Sequence, residues 1–322
     1  MKQEGKNSSL KSQASSIKSS RTSKSNILLL VAAMLWGFAF VAQRAGMEHV
    51  GPFIFNGVRF ALGGISLLPL ILVNLKRRSG DDLPSASKKT FALGGGLAGL
   101  ALFIAASFQQ IGIIYTTAGK AGFITGLYVI IVPILGLLGR QRTNVGTWMG
   151  AVIAATGLYF LSVTENFTIS PGDLLVLISA FFWAVHVHII GWFSARTDPI
   201  KLAFSQFLAC SALSLVAAVS TETISVQALS RAIIPILYGG LVSVGIAFTL
   251  QVVGQRHAHP APAAIILSLE TVFAVIGGWL ILGENLSPRG GVGCALMLAG
   301  MLLSQLRIKT GFLSDSIARA GK

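Results

Sequence analysis

The sequence predicts an all-α membrane protein, ten transmembrane helices arranged as two inverted five-helix repeats, and three observations carry that expectation. First, 53% of its 322 residues are hydrophobic and only 11% are charged, where a soluble domain holds about 25% charged residues. Second, ten apolar runs are long enough for a hydrocarbon core of about 30 Å, which takes about 20 helical residues to cross. Third, residues recur at fixed spacing. Trp36, Pro52, Arg59 and Phe60 stand 147 positions before Trp183, Pro199, Gln206 and Phe207, and Gln109 and Gly112 stand 142 before Gln251 and Gly254.

Residues 1–26 are rich in Ser and Lys and poor in apolar side chains, which predicts a disordered basic cytoplasmic tail. The apolar run from Ile27 follows that charge as a signal peptide would, but no small-residue cleavage site ends it and further runs follow. It is therefore expected to be an uncleaved first span. The predicted spans are 27–44, 52–74, 91–113, 117–138 and 145–162 in the first repeat (27–162), and 172–193, 200–219, 232–254, 261–282 and 290–307 in the second (172–307). A cytoplasmic tail, 308–322, ends the chain, and only the 75–90 connection is long. With the N-terminus in the cytoplasm, twenty of the twenty-five Lys and Arg fall on that side, four face the other way, and Arg59 lies within a span. Such a bias sets orientation, so both termini are expected in the cytoplasm. Five spans per half is an odd number, and the second half therefore starts on the opposite side, inverted. Glycines inside the spans, such as Gly94-Gly95-Gly96 and Gly146 with Gly150, read as surfaces where helices approach closely.

Ionisable groups in a bilayer usually face protein or a wet cavity, and Arg59 and Glu270 lie deepest. At about 1.5 Å per residue, Arg59 is roughly 11 Å from the outer end of its helix and Glu270 roughly 13–14 Å from the inner end of its own. An arginine could span that difference within one cavity. Trp36 and Trp183 occupy repeat-related mid-span positions, where they either pack or form aromatic walls around a substrate. Tyr128 is the repeat counterpart of Glu270. Gln109 and Gln251 lie near helix ends and are expected at the cavity mouth. His186 and His188 point to opposite helix faces, about 200° apart, and cannot easily share a metal. Of the two, His186 is the candidate for the substrate site.

The inventory otherwise positions no catalytic group, although Ser and His are both present. Cys210 and Cys294 lie in apolar runs without a metal or disulfide spacing. No HExxH, GxSxG or Walker A sequence occurs, so no catalytic residue, metal or cofactor is expected. The net charge of +14 has no recognition element behind it, which argues against nucleic acid as a partner.

The stretch from Ser268-Leu-Glu270 through Trp279-Leu-Ile-Leu-Gly-Glu284 to Ala299-Gly300 resembles the ninth and tenth helices of EamA-type proteins of the drug/metabolite transporter superfamily. Tyr115-Thr-Thr-Ala-Gly-Lys-Ala-Gly-Phe123, Val132-Pro133, Trp148-Met-Gly150, Trp36-Gly37 and Arg59-Phe60 fit the same pattern. The resemblance implies a ten-helix inverted-repeat carrier that exports amino acids or other small polar or amphipathic metabolites, drugs among them, across a bacterial inner membrane. It leaves a channel-like facilitator or a non-transporting scaffold as alternatives, and leaves proton coupling and the choice of monomer or homodimer open. Two departures stand out. Thr271 replaces the proline that often follows the family glutamate, which removes the residue expected to kink the helix there. Arg140 stands where the first repeat often has a counterpart of Glu284, so Glu284 is not expected to be half of a symmetric pair.

Overall fold

The computed structural model describes residues 2–77, 88–116, 118–140, 144–162, 170–282 and 287–305. The predicted 75–90 connection falls largely outside these residues, and the tail 308–322 and Glu284 fall wholly outside them. Among the described residues there is no strand. Helices α1 (Lys2–Gly46), α2 (Pro52–Arg77), α3 (Lys88–Ile114), α4 (Ala118–Gly126), α5 (Tyr128–Leu138) and α6 (Val145–Ser162) form the first half. The second contains α7 (Pro171–Ser194), α8 (Pro199–Thr221), α9 (Val226–Arg231), α10 (Ile233–Leu237), a π-helix (Tyr238–Phe248), α11 (Thr249–Gln255), α12 (Pro260–Leu267), α13 (Glu270–Leu282) and α14 (Pro288–Gln305).

Among the described residues, eight helical stretches are long and apolar enough to cross a membrane, from Thr22–Gly46 to Pro260–Gly277. The runs expected as fifth and tenth spans form the shorter apolar helices Val145–Phe160 and Pro288–Ser304. Helix α1 runs from Lys2, through the segment expected as a tail, to Gly46.

Proline opens α2, α7, α8, α12 and α14, where its missing N–H costs nothing and its fixed φ suits the first turn. Caps complete these starts. Ser170 and Asp173 form a reciprocal capping box on α7, and Asp198 accepts from the Ile200 and Lys201 amides on α8. For α2 the cap comes from far along the chain. The Glu222 carboxylate, just beyond α8, accepts from Phe53 N and Ile54 N at 2.8 Å each. Gly51 makes room for it, since a Cβ there would collide with that carboxylate. Arg44 closes the other end of a helix: its Nη1 donates to the Ile113 and Ile114 carbonyls at 3.1 and 3.3 Å, at the C-terminus of α3.

The long helices pack as α3 on α7 and α8, α2 on α8 and the π-helix, and α1 on α13, α11 and the π-helix. Helices α6 and α14 lie against each other, with the closest approach made by glycines. A Cβ built at Gly150 meets the Gly300 carbonyl at 2.6 Å, the reverse holds at Gly300, and Gly157 stands in the same relation to the Gly293 carbonyl. Bringing backbones this close is how apolar helices adhere where lipid gives no hydrophobic drive. Gly150→Val is therefore expected to destabilise the folded protein by about 1–3 kcal/mol, the usual cost of overpacking. The check is the thermal midpoint of aggregation in detergent, and an unchanged midpoint would show that this pair is loosely packed.

Candidate functional site

Two of the membrane helices are interrupted halfway, at repeat-related places. Between α4 and α5 the break is Leu127 (φ −61°, ψ −14°), and between α12 and α13 it begins at Ser268 (φ −61°, ψ −15°). In both, the chain tightens into i→i+3 bonding, as in Leu127 N to Ile124 O at 3.2 Å and Thr271 N to Ser268 O at 3.2 Å. Thr271 therefore does not leave this helix regular. The turn forms directly before it, helped by the Ser268 hydroxyl donating to Ile265 O at 2.9 Å, and Thr271 Oγ1 donates to the Gly122 carbonyl at 3.0 Å. Tyr128 and Glu270 are the first residues after the two breaks.

These breaks border a central cavity of about 40 Å³, room for a few waters. Trp36, Arg59, Tyr128, Trp183 and Glu270 line it together, as do Gln109 and Gln251. The two glutamines are 5% and 1% exposed, so they are deep in the protein rather than at a mouth. Helical side chains lean toward the N-terminus, which carries each of them from the end of its helix toward the middle of the bundle.

The aromatic walls are held by hydrogen bonds. Trp183 Nε1 donates to Gln109 Oε1 at 2.6 Å, and Gln109 Nε2 donates to Gln43 Oε1 at 3.3 Å. Trp36 Nε1 donates to the Ser243 carbonyl, within the π-helix, at 3.2 Å. Phe248, last residue of that π-helix, joins the walls: its ring centroid is 4.5 Å from that of Trp36 and 5.7 Å from that of Trp183.

Arg59 is 3% exposed. Its Nε donates to Asn56 Oδ1 at 2.9 Å, and its guanidinium carbon lies 4.9 Å from the Phe60 ring centroid and 5.4 Å from that of Phe55. Among the described residues no carboxylate pairs with it. The expected bridge between Arg59 and Glu270 is not formed, although both face the same space. The Tyr128 hydroxyl is turned to the Glu270 carboxyl without an aligned hydrogen bond. Three buried atoms of the lining, Thr125 Oγ1, Tyr128 Oη and Gln251 Oε1, have no protein partner, and such groups call for water or a polar solute. The lining thus offers one cation, one carboxyl, unsatisfied polar atoms and flat aromatic faces.

His186 does not line the cavity. It stands behind the aromatic wall, with Nε2 2.8 Å from Gln206 Oε1 and its ring edge-on to Trp183. His188 points the other way, with Nε2 2.8 Å from the Val132 carbonyl. Among the described residues no group of three His, Cys, Asp or Glu could hold a metal. Gln43, Thr125, Ser243 and Phe248 were not anticipated from sequence. Gln43 looked terminal in the first span, and nothing in the residue pattern announces a π-helix.

A second and larger cavity, about 660 Å³, opens at the end of the bundle where α6 starts, α7 and α11 finish and α12 begins. Gln255 lines this vestibule, and its Nε2 donates at 3.0 Å to the carbonyl of Val187, a residue of the central lining.

Comparison with known proteins finds relatives along most of the chain. A transporter of Archaeoglobus fulgidus, itself uncharacterized, is 32% identical over 281 residues, which cover 87% of this chain and 85% of the relative. The uncharacterized inner membrane transporter YedA of Escherichia coli is 26% identical over 262 residues, 79% of this chain and 81% of YedA. A crystal structure, described only as that of a protein, superposes with a TM-score of 0.71 at 20% identity, covering 88% of this chain and 96% of that one, and so shares the fold. The EamA-like transporter family matches twice, over residues 23–163 and again over 170–306, and the chain belongs to that family as a multi-pass membrane transporter.

Proposed function

We propose that the protein is a secondary carrier that moves small polar or amphipathic metabolites, amino acids or related compounds, by alternating access, and that it exports them across a bacterial inner membrane. The observation that carries this reading is the ancestry of the cavity wall. Trp36 with Trp183 and Phe40 with Val187 stand 147 positions apart, while Gln109 with Gln251, Thr125 with Leu267 and Tyr128 with Glu270 stand 142 apart, and all ten residues line one space. A site assembled from matching positions of two inverted halves can face either side as the halves exchange conformations. The ten-span inverted repeat is further supported by the two successive family matches and by packing that swaps with the halves. Gly150 and Gly157 exchange with Gly293 and Gly300 at a spacing of 143.

Within this wall, Arg59 breaks the symmetry, because its counterpart is Gln206. A dipolar solute would place its anionic end by Arg59, its cationic end by Glu270 and its apolar part between the indoles. Outward transport is supported by the position of the vestibule, beside the basic connections assigned to the cytoplasm.

The test is counterflow in proteoliposomes with a panel of labelled metabolites. A carrier preloaded with unlabelled substrate accelerates uptake of label. Uptake without such acceleration would replace the carrier by a channel-like facilitator, and no uptake of any compound would leave a scaffold.

A further inference from the structure

We propose that the vestibule between α6, α7 and α12 is a binding site for small organic anions, distinct from the central cavity, at which substrate carboxylates are collected before entry. Its volume of about 660 Å³ falls within the range of small-molecule pockets, about 300–1,000 Å³, whereas the central space of about 40 Å³ holds only water. In this conformation a metabolite fits the vestibule and not the central site.

The charges of the lining are of one sign. Arg196 and Arg256 supply them, His257 and His259 add imidazoles, and no Asp or Glu contributes among the described residues. Asp198, nearby in sequence, directs its carboxylate to the Ile200 and Lys201 amides of its own helix. Trp192 adds a flat face on which the Arg196 guanidinium stacks, 4.1 Å from the ring centroid. A concave basic surface of this kind focuses the field and raises the local concentration of anions. The floor is Gln255, 1% exposed, whose Oε1 is buried with no partner. That oxygen can accept from a ligand N–H or a bridging water while Nε2 keeps its donation to the Val187 carbonyl.

The two ends of the bundle differ at a pair of repeat positions. Gly191 lies on the vestibule wall, where a Cβ would meet Pro260 Cγ at 2.9 Å, and 147 positions earlier stands Arg44. At the opposite end Arg44 ties down the Ile113 and Ile114 carbonyls, while Thr116 Oγ1 donates to Asp173 at 2.7 Å.

The loading role rests on the transporter reading, but binding at the vestibule does not, and binding can be tested without transport. Ala258→Cys places a thiol on the lining. Labelling of the parent chain, whose Cys210 is buried and Cys294 half-buried, is subtracted. The purified protein in detergent is treated with a sulfonate-bearing methanethiosulfonate and with its trimethylammonium analogue, each rate being normalised to that with a free thiol in solution. The anionic reagent is expected to react at least about fivefold faster, within the range that field focusing gives. The preference should fall toward unity in the Arg196→Gln, Arg256→Gln background, and millimolar benzoate should slow labelling at least about twofold, as occupancy near its Kd requires. Ala195→Cys, on the rim, serves if Ala258→Cys does not fold. Equal normalised rates, a preference that survives loss of both arginines, or labelling indifferent to benzoate would each overturn the site. Counterflow would be unaffected by those outcomes, so a failure here is separable from a failure of the carrier reading.

Discussion

Arg59→Gln is expected to lower transport by at least about tenfold while leaving thermal stability unchanged or raised. A buried cation without a carboxylate partner is costly in a bilayer, at least ~2.5–3.5 kcal/mol at the centre on insertion scales, and among the described residues Asn56 and two phenylalanine rings offset it. Removing the charge relieves that cost. Gln206 at the repeat-related position, also buried, shows that an amide fits this depth. A stabilised protein that no longer transports would mean the charge is retained for the substrate. Measured together, thermal midpoint and uptake in proteoliposomes decide it, and a variant that transports normally would make Arg59 a packing residue.

Glu270→Gln keeps the size of the side chain and removes its titration. The carboxyl is 5% exposed and faces the same space as Arg59 without touching it, so a proton or a cationic substrate group can neutralise it, but not both at once. Competition of that kind gives exchange without a separate gate. In the variant, uptake driven by a pH gradient is expected to lose its dependence on the gradient, while exchange between compartments of equal pH persists. Loss of both with normal membrane abundance would indicate direct substrate binding by the carboxylate. Unchanged affinity, rate and pH response would remove Glu270 from the site.

The repeat was legible from spacing because tryptophan, proline and arginine are rare in spans and keep their register. The same spacing put Trp36 and Trp183, and Tyr128 and Glu270, at equivalent repeat positions before any coordinates. Depth was less legible. Counting residues from a helix end locates a Cα, but Gln109 and Gln251 act through side chains that lean a turn inward, and that lean turned an expected mouth into a deep lining. Arg59 illustrates a different limit. Its partner proved to be Asn56, three residues back on the same helix face, rather than the distant acid suggested by depth. The helix breaks escaped notice because their cause is local dihedral tightening at Leu127 and Ser268, which proline-based reasoning does not detect. The π-helix of Tyr238–Phe248 has no signature in hydropathy at all.

The close-packed pair α6 and α14 also has a consequence for how the bundle can move. At Gly150 and Gly300 each backbone carbonyl lies 2.6 Å from where a Cβ on the other residue would stand. With no side chains between the two backbones to repack, this pair is expected to move as one body, although its helices come from the two halves of the chain. A change of conformation that opens the cavity to either side must then carry α6 and α14 together and take up its movement at other helix contacts.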